Sequence, residues 1–101
     1  MYAQLTYFDG PRTPEQLAAV DYATRERIMP AVREAGGAIR GYRLRRADGS
    51  EVVVSIAESE QALLNAQKAI MATELLPGED PALLPGPDLV ELYPVIEVLE
   101  P

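Results

Sequence analysis

The side chains that could do chemistry in this chain are tyrosines, carboxylates and arginines, because it contains no cysteine and no histidine. Those two absences exclude thiolate nucleophiles, disulfide bonds and imidazole acid–base catalysis or metal ligation. The sequence also has no glycine-rich phosphate loop, nucleophile elbow or spaced set of metal ligands. A general base would have to be a Tyr, Asp or Glu whose pKa is shifted by its surroundings. We therefore expect no metal and no cofactor.

Charge is distributed unevenly along the chain. The formal net charge of −7 argues against a nucleic-acid-binding protein. Seven of the nine basic residues nevertheless fall within residues 25–46, where the local charge is +5. This stretch is either a solvated basic face or a stripe for an anionic partner, such as the acidic part of a second copy of the chain.

The length of 101 residues is that of one domain, so we treat residues 1–101 as a single unit. Apolar residues make up 48% and charged residues 25%, which is typical of a folded globular domain rather than a disordered chain. The chain does not begin with a signal-peptide pattern, and no apolar run approaches the roughly 20 residues of a membrane span. We expect a soluble, cytoplasmic protein that binds neither membrane nor nucleic acid.

Periodicity and turn signals predict six elements in the order β-α-β-β-α-β. Strands are predicted at residues 2–8, 38–46, 51–57 and 89–99. The first helix is predicted to begin with a capping box at Thr13 and Gln16 and to end at Gly36-Gly37. Because Pro30 falls inside its pattern, we expect a kink or a break near Met29.

The second predicted helix begins at Ser59-Glu60 and ends before Pro77. Residues 77–88 contain four prolines and two glycines, so we predict a loop there. Leu83 and Leu84 in its middle are predicted to pack, in a short turn of helix; a mobile lid is the alternative.

The element order indicates an α+β protein with the split βαβ, or ferredoxin-like, arrangement. Right-handed crossovers place both helices on one face of an antiparallel four-stranded sheet with strand order 4-1-3-2. Strands three and four carry apolar residues on both parities, so neither face has the polar pattern of a solvated one. We therefore predict a homodimer in which a second copy covers the free face. Its interface is predicted to pair basic strand two with acidic strand four through Arg43, Arg45, Glu91 and Glu97.

The stretch GYRLRRADGSEVVVSIAESEQALLNAQ, residues 41–67, combines a hairpin with a strand that runs into an acidic helix start. In this it resembles the antibiotic biosynthesis monooxygenase family of the dimeric α+β barrel superfamily. The resemblance implies a pocket between the helices and the sheet of each protomer, suited to an apolar or aromatic small molecule. It also implies an activity, the cofactor-independent oxygenation of anthrone-type or other phenolic substrates.

Comparison with the family's motif positions selects part of the candidate site. Leu5, Ala57 and Gln67 stand near positions where members carry an Asn, a Trp and a His. Since no His replaces the last of these, haem degradation by the usual ligation is not expected. The small Ser55 and Ala57 are predicted to face the helices, together with Val53 on the same strand.

Tyrosines complete the candidate site. Ala3, Leu5 and Tyr7 are predicted to face the helices beside Ala57, which makes Tyr7 and Tyr93 the nearest polar groups in an apolar wall and the candidate catalytic residues. Tyr22 and Tyr42 join Leu5, Ser55, Ala57 and Gln67 as the predicted ligand-binding set. Two functions stay open: a monooxygenase of this type, and a non-catalytic ligand-binding or dimerisation module.

Overall fold

A computed structural model describes residues 1–101 and confirms the ferredoxin-like α+β arrangement. A π-helical segment, Thr24–Ile28, joins the first two of three α-helices. The elements are β1 (Tyr2–Phe8), α1 (Pro14–Ala23), α2 (Met29–Ala35), β2 (Arg40–Arg45), β3 (Glu51–Ala57), α3 (Glu60–Met71) and β4 (Leu89–Pro94). None of the helices has the length and apolar content that crossing a bilayer requires.

The four strands form one antiparallel sheet in the order β2-β3-β1-β4, as predicted. β1 lies at the centre and pairs with β3 from Tyr2 opposite Ala57 to Phe8 opposite Glu51. β4 pairs with the other side of β1, so Pro94 lies on an edge strand, where a missing backbone N–H is tolerated.

The first predicted helix begins at its predicted capping box and is interrupted next to Pro30, as the sequence predicts. Thr13 caps α1 by accepting a hydrogen bond from the Gln16 backbone N–H, and the Gln16 side chain accepts one from the Thr13 N–H. The break is a π-segment rather than a sharp kink: the Met29 N–H donates to the carbonyl of Thr24, five residues back. Pro30 has no N–H to donate, and the wider turn directly precedes it.

The strand after the proline loop is shorter than predicted. β4 ends at Pro94 rather than Leu99, and the Val95 N–H donates one further hydrogen bond, at 2.9 Å, to the Met1 carbonyl. The following residues, 95–101, form no regular element, and Ile96 is 96% exposed. Within the loop, Pro81–Leu83 forms a short 3-10 turn that leaves Leu83 and Leu84 half-buried, as predicted.

The register assigns each strand residue to one of the two sheet faces. The face under the helices contains Ala57 and Glu51, both buried, and the arginines that reach Asp21 on α1. Since Ala57 pairs with Tyr2, the β1 residues on this face are the even-numbered ones. The prediction that Ala3, Leu5 and Tyr7 face the helices is therefore wrong, whereas Val53, Ser55 and Ala57 do lie on that side.

The opposite face, which we call the open face, is covered by nothing in the chain. Leu44, Leu89 and Tyr93 on it are each at least half exposed, at 53%, 53% and 50%. Of its twelve residues only Arg40 and Glu91 are charged. Its members are Ala3, Leu5, Tyr7, Arg40, Tyr42, Leu44, Val52, Val54, Ile56, Leu89, Glu91 and Tyr93.

The interior under the helices is small. Only six residues are buried, and no large side chain is fully enclosed. Leu63 and Ala66 of α3 are the buried helix residues nearest the sheet's β3 side, with exposures of 3% and 7%. The hydrophobic stabilisation of the folded chain therefore depends on few side chains.

Truncation of Leu63 tests whether the stability of the fold depends on these few buried side chains. Leu63→Ala is expected to lower the free energy of unfolding by about 2–3 kcal/mol, because it removes a buried side chain from a core with little capacity to rearrange. Leu64→Ala, at the neighbouring position where the side chain is 39% exposed, is the matched control and should cost less than half as much. Urea denaturation at one fixed protein concentration measures both. Equal losses in the two variants would contradict the assigned core.

Candidate functional site

Tyr7, Glu91 and Tyr93 form a cluster on the open face. Tyr93 and Glu91 are two residues apart on β4, and Glu91 stands next to β1. The Tyr93 hydroxyl donates a hydrogen bond to Glu91 Oε2 at 3.0 Å. The two predicted catalytic tyrosines are thus brought together, but on the face opposite the helices. The carboxylate between them, Glu91, is also a predicted residue of the dimer interface.

The Glu91 carboxylate raises the pKa of both phenols. The pKa of Tyr7 is raised, first by its interaction with the Glu91 carboxylate and then by partial desolvation. The pKa of Tyr93 is raised by its hydrogen bond to the same carboxylate. Both side chains are therefore neutral hydrogen-bond donors at neutral pH.

The predicted ligand-binding residues are split among four places. Leu5 and Tyr42 lie on the open face, and Ser55 and Ala57 lie under the helices. Gln67 is exposed on α3, and Tyr22 is exposed on α1. They do not line one pocket, and a separate cleft in the chain is lined by no strand residue.

That cleft lies between α1 and the proline loop and measures about 460 Å³. Tyr22 is the only member of the predicted ligand-binding set that borders it. The small side chains of Ala18 and Ala19 on α1 face Leu83 and Leu84 of the loop across the space. The sequence contains a signal for this cleft: two adjacent alanines on the first helix, and two leucines in a proline-rich loop.

A buried ion pair fixes the loop side of this cleft. The Arg27 guanidinium donates to Glu79 through Nε at 2.8 Å and through a terminal nitrogen at 3.3 Å, and also to Thr73 Oγ1 at 2.7 Å. The side chains of Arg27 and Glu79 are only 12% and 2% exposed. The hydrogen bond from Arg27 keeps the pKa of Glu79 below its usual range, against the opposing effect of burial. No pattern in the sequence predicts this pair, which joins the π-segment to a residue 52 positions later.

The arginines predicted at the dimer interface have partners within the chain. Arg43 and Arg45 both donate to Asp21 Oδ1, at 2.9 and 2.7 Å, and both contact the buried carboxylate of Glu51. Hydrogen bonding by Arg45, then by Arg43, lowers the pKa of Asp21. The pairing of these two arginines with Glu91 and Glu97 of a second copy stays a prediction, but they lie on the helix side of the sheet, whereas Glu91 lies on the open face.

Because Glu91 raises the pKa of both Tyr7 and Tyr93, its removal should change the titration of these tyrosines measurably. In Glu91→Gln the pKa values of Tyr7 and Tyr93 should fall toward the ordinary value of about 10, because the charge that disfavours their ionisation is gone. The ultraviolet absorbance of tyrosinate as a function of pH follows all five tyrosines. The exposed Glu97→Gln is the control and should titrate like the unmodified protein. Identical curves for Glu91→Gln and the unmodified protein would refute the cluster.

Comparison with known proteins assigns no family. No protein-family model matches the sequence, and no curated protein matches it. The resemblance to antibiotic biosynthesis monooxygenases therefore stays a prediction.

Proposed function

We propose that the protein is a homodimeric α+β barrel whose two sheets pack through their open faces, and that dimerisation is the function of this face. The observation that carries the proposal is the inverted polarity of the sheet. The uncovered face has ten apolar or aromatic residues and two charges, while the face under the helices carries Arg43, Arg45 and Glu51. Water contact with such a face is unfavourable, so a second layer would stabilise it.

The exposed area supports one further copy as that layer. A monomeric protein of 11.0 kDa typically exposes about 5,600 Å². This chain exposes 6980 Å², an excess of about 1,400 Å². A standard interface buries roughly 800 Å² of each partner. The open face, together with the exposed apolar side chains of the 95–101 segment, is large enough for a stable dimer.

The two charges of the open face favour a two-fold arrangement. Arg40 lies on edge strand β2 and Glu91 on the opposite edge strand β4. A two-fold axis through the stacked faces can bring each Arg40 near Glu91 of the second copy, so that neither charge is buried alone. This pairing uses residues on the contacting face, unlike the one predicted with Arg43 and Arg45.

A charge placed on the open face should separate the protomers. Leu44→Glu is expected to raise the dimer dissociation constant at least about tenfold, because burying an unpaired carboxylate in an apolar interface costs several kcal/mol. Leu64→Glu puts the same change on α3, at a leucine that is also exposed, and should leave the constant unchanged. Sedimentation equilibrium gives the constants, and circular dichroism checks the fold. Equal constants for the two variants would refute this interface.

A second candidate function is oxygenation of a phenolic substrate, the activity that the family resemblance implies. The Tyr7–Glu91–Tyr93 cluster favours it, but on the open face rather than in the pocket between helices and sheet that the resemblance implies. Glu91 would accept a proton from the substrate while the phenols orient its oxygen. An anthrone would then supply the electrons itself: its methylene becomes a carbonyl, one atom of dioxygen enters the product and the other leaves as water.

Oxygen uptake with an anthrone tests this activity. Uptake by the unmodified protein should exceed that of buffer, and Glu91→Gln should lose about a hundredfold of the excess, since a general base contributes at least that factor. Tyr2→Phe, which changes a tyrosine on the helix-covered face, is the matched control and should retain the rate. Uptake no faster than in buffer would reject the oxygenase and leave the dimerisation module.

A further inference from the structure

The cleft between α1 and the proline loop is preformed. Its loop wall is fixed by the two hydrogen bonds between Arg27 and Glu79, and the Leu76 N–H also donates to Glu79 Oε2 at 2.7 Å. A volume of about 460 Å³ lies within the range of small-molecule sites. A ligand that enters this space would not have to order the loop first, which lowers the entropic cost of binding.

The residues that line the cleft favour a ligand with an apolar part. Ala18 and Ala19 supply methyl groups from α1, and Leu83 and Leu84 supply larger apolar surfaces from the loop. The ring of Tyr22 also borders the cleft and is 40% exposed. Aromatic or branched aliphatic groups match such surfaces through apolar contact and stacking.

The acidic residues around the cleft favour a positively charged group on the ligand. No basic residue lines it, whereas Glu15, Glu79 and Asp80 do. Glu79 is neutralised by Arg27, but neither Glu15 nor Asp80 forms an ion pair. Asp80 Oδ1 accepts a hydrogen bond from the Ala82 N–H at 2.9 Å, which leaves Oδ2 for another donor. The electron-rich face of Tyr22 attracts the same charge.

We propose that this cleft binds a small organic amine, protonated or quaternary, whose apolar body lies between α1 and the proline loop. The cationic group interacts with Glu15, Asp80 and the Tyr22 ring. A bare metal ion does not fit these walls, since half of the lining is apolar and no group of three metal-ligating side chains exists in the chain. The site lies on the helix layer and is independent of the open face and of the dimer.

Two molecules of nearly the same shape test the role of charge. Phenethylamine is protonated at neutral pH, and phenethyl alcohol is its neutral counterpart. Titration followed by amide NMR should place the amine at Ala18, Ala19, Tyr22, Leu83 and Leu84, with a millimolar dissociation constant and at least about fivefold tighter binding than the alcohol, as expected for exposed charge pairs. Equal affinities, shifts confined to other residues, or no shifts at all would overturn the proposal.

Variants of Glu15 and Asp80 test whether these two carboxylates cause the tighter binding of the amine. Glu15→Gln combined with Asp80→Asn keeps the side-chain shapes, and Asn still caps the 3-10 turn, so the fold should be unchanged. The amine should then bind no better than the alcohol, whose affinity should stay constant. Glu58→Gln removes an exposed carboxylate that does not line the cleft and should retain the preference for the amine. A preference that survives the double variant would contradict the assignment.

Discussion

The register between β1 and β3 is the constraint on which the rest of this structure depends. Pairing Tyr2 with Ala57 places every odd-numbered residue of β1 on the open face and every even-numbered one under the helices. A slip of one residue would exchange the two sets. With the observed register, the more apolar side of the sheet is left uncovered. The helices cover a side on which two arginines and a glutamate must be neutralised.

The charges on the helix-covered side of the sheet are neutralised within the chain. Glu51 is buried, and its carboxylate would be costly there without the guanidinium groups of Arg43 and Arg45. Asp21 on α1 accepts hydrogen bonds from the same two arginines and thereby connects the helix layer to β2. The basic stretch of the sequence is therefore partly a structural element and partly, through Arg40, a feature of the open face.

Local signals in the sequence were sufficient to predict the elements and their order. The Thr13 capping box and Pro30 each act on their immediate neighbours, and each has the expected effect. The face of the sheet on which each side chain of β1 lies could not be predicted in the same way. Both parities of β1 contain apolar and aromatic residues, and only the cross-strand pairing decides which parity meets the helices. That is why Leu5 and Tyr7 were placed on the wrong side while Ser55 and Ala57 were placed correctly.

The candidate site was predicted in its parts but not as a whole. Tyr7 and Tyr93 were selected as polar groups in apolar strands, and they do lie near one another, but the carboxylate between them had been given another role. The cleft depends on Arg27 and Glu79, which are distant in sequence and lie on a π-segment and an irregular loop. No periodicity connects two such residues.

The central claim is that a second copy covers the open face, and native mass spectrometry of the unmodified protein tests it most directly. The account predicts a species of twice the 11.0 kDa chain mass that persists at micromolar concentrations. A species of 11.0 kDa alone across that range would contradict it and leave the apolar face without an occupant.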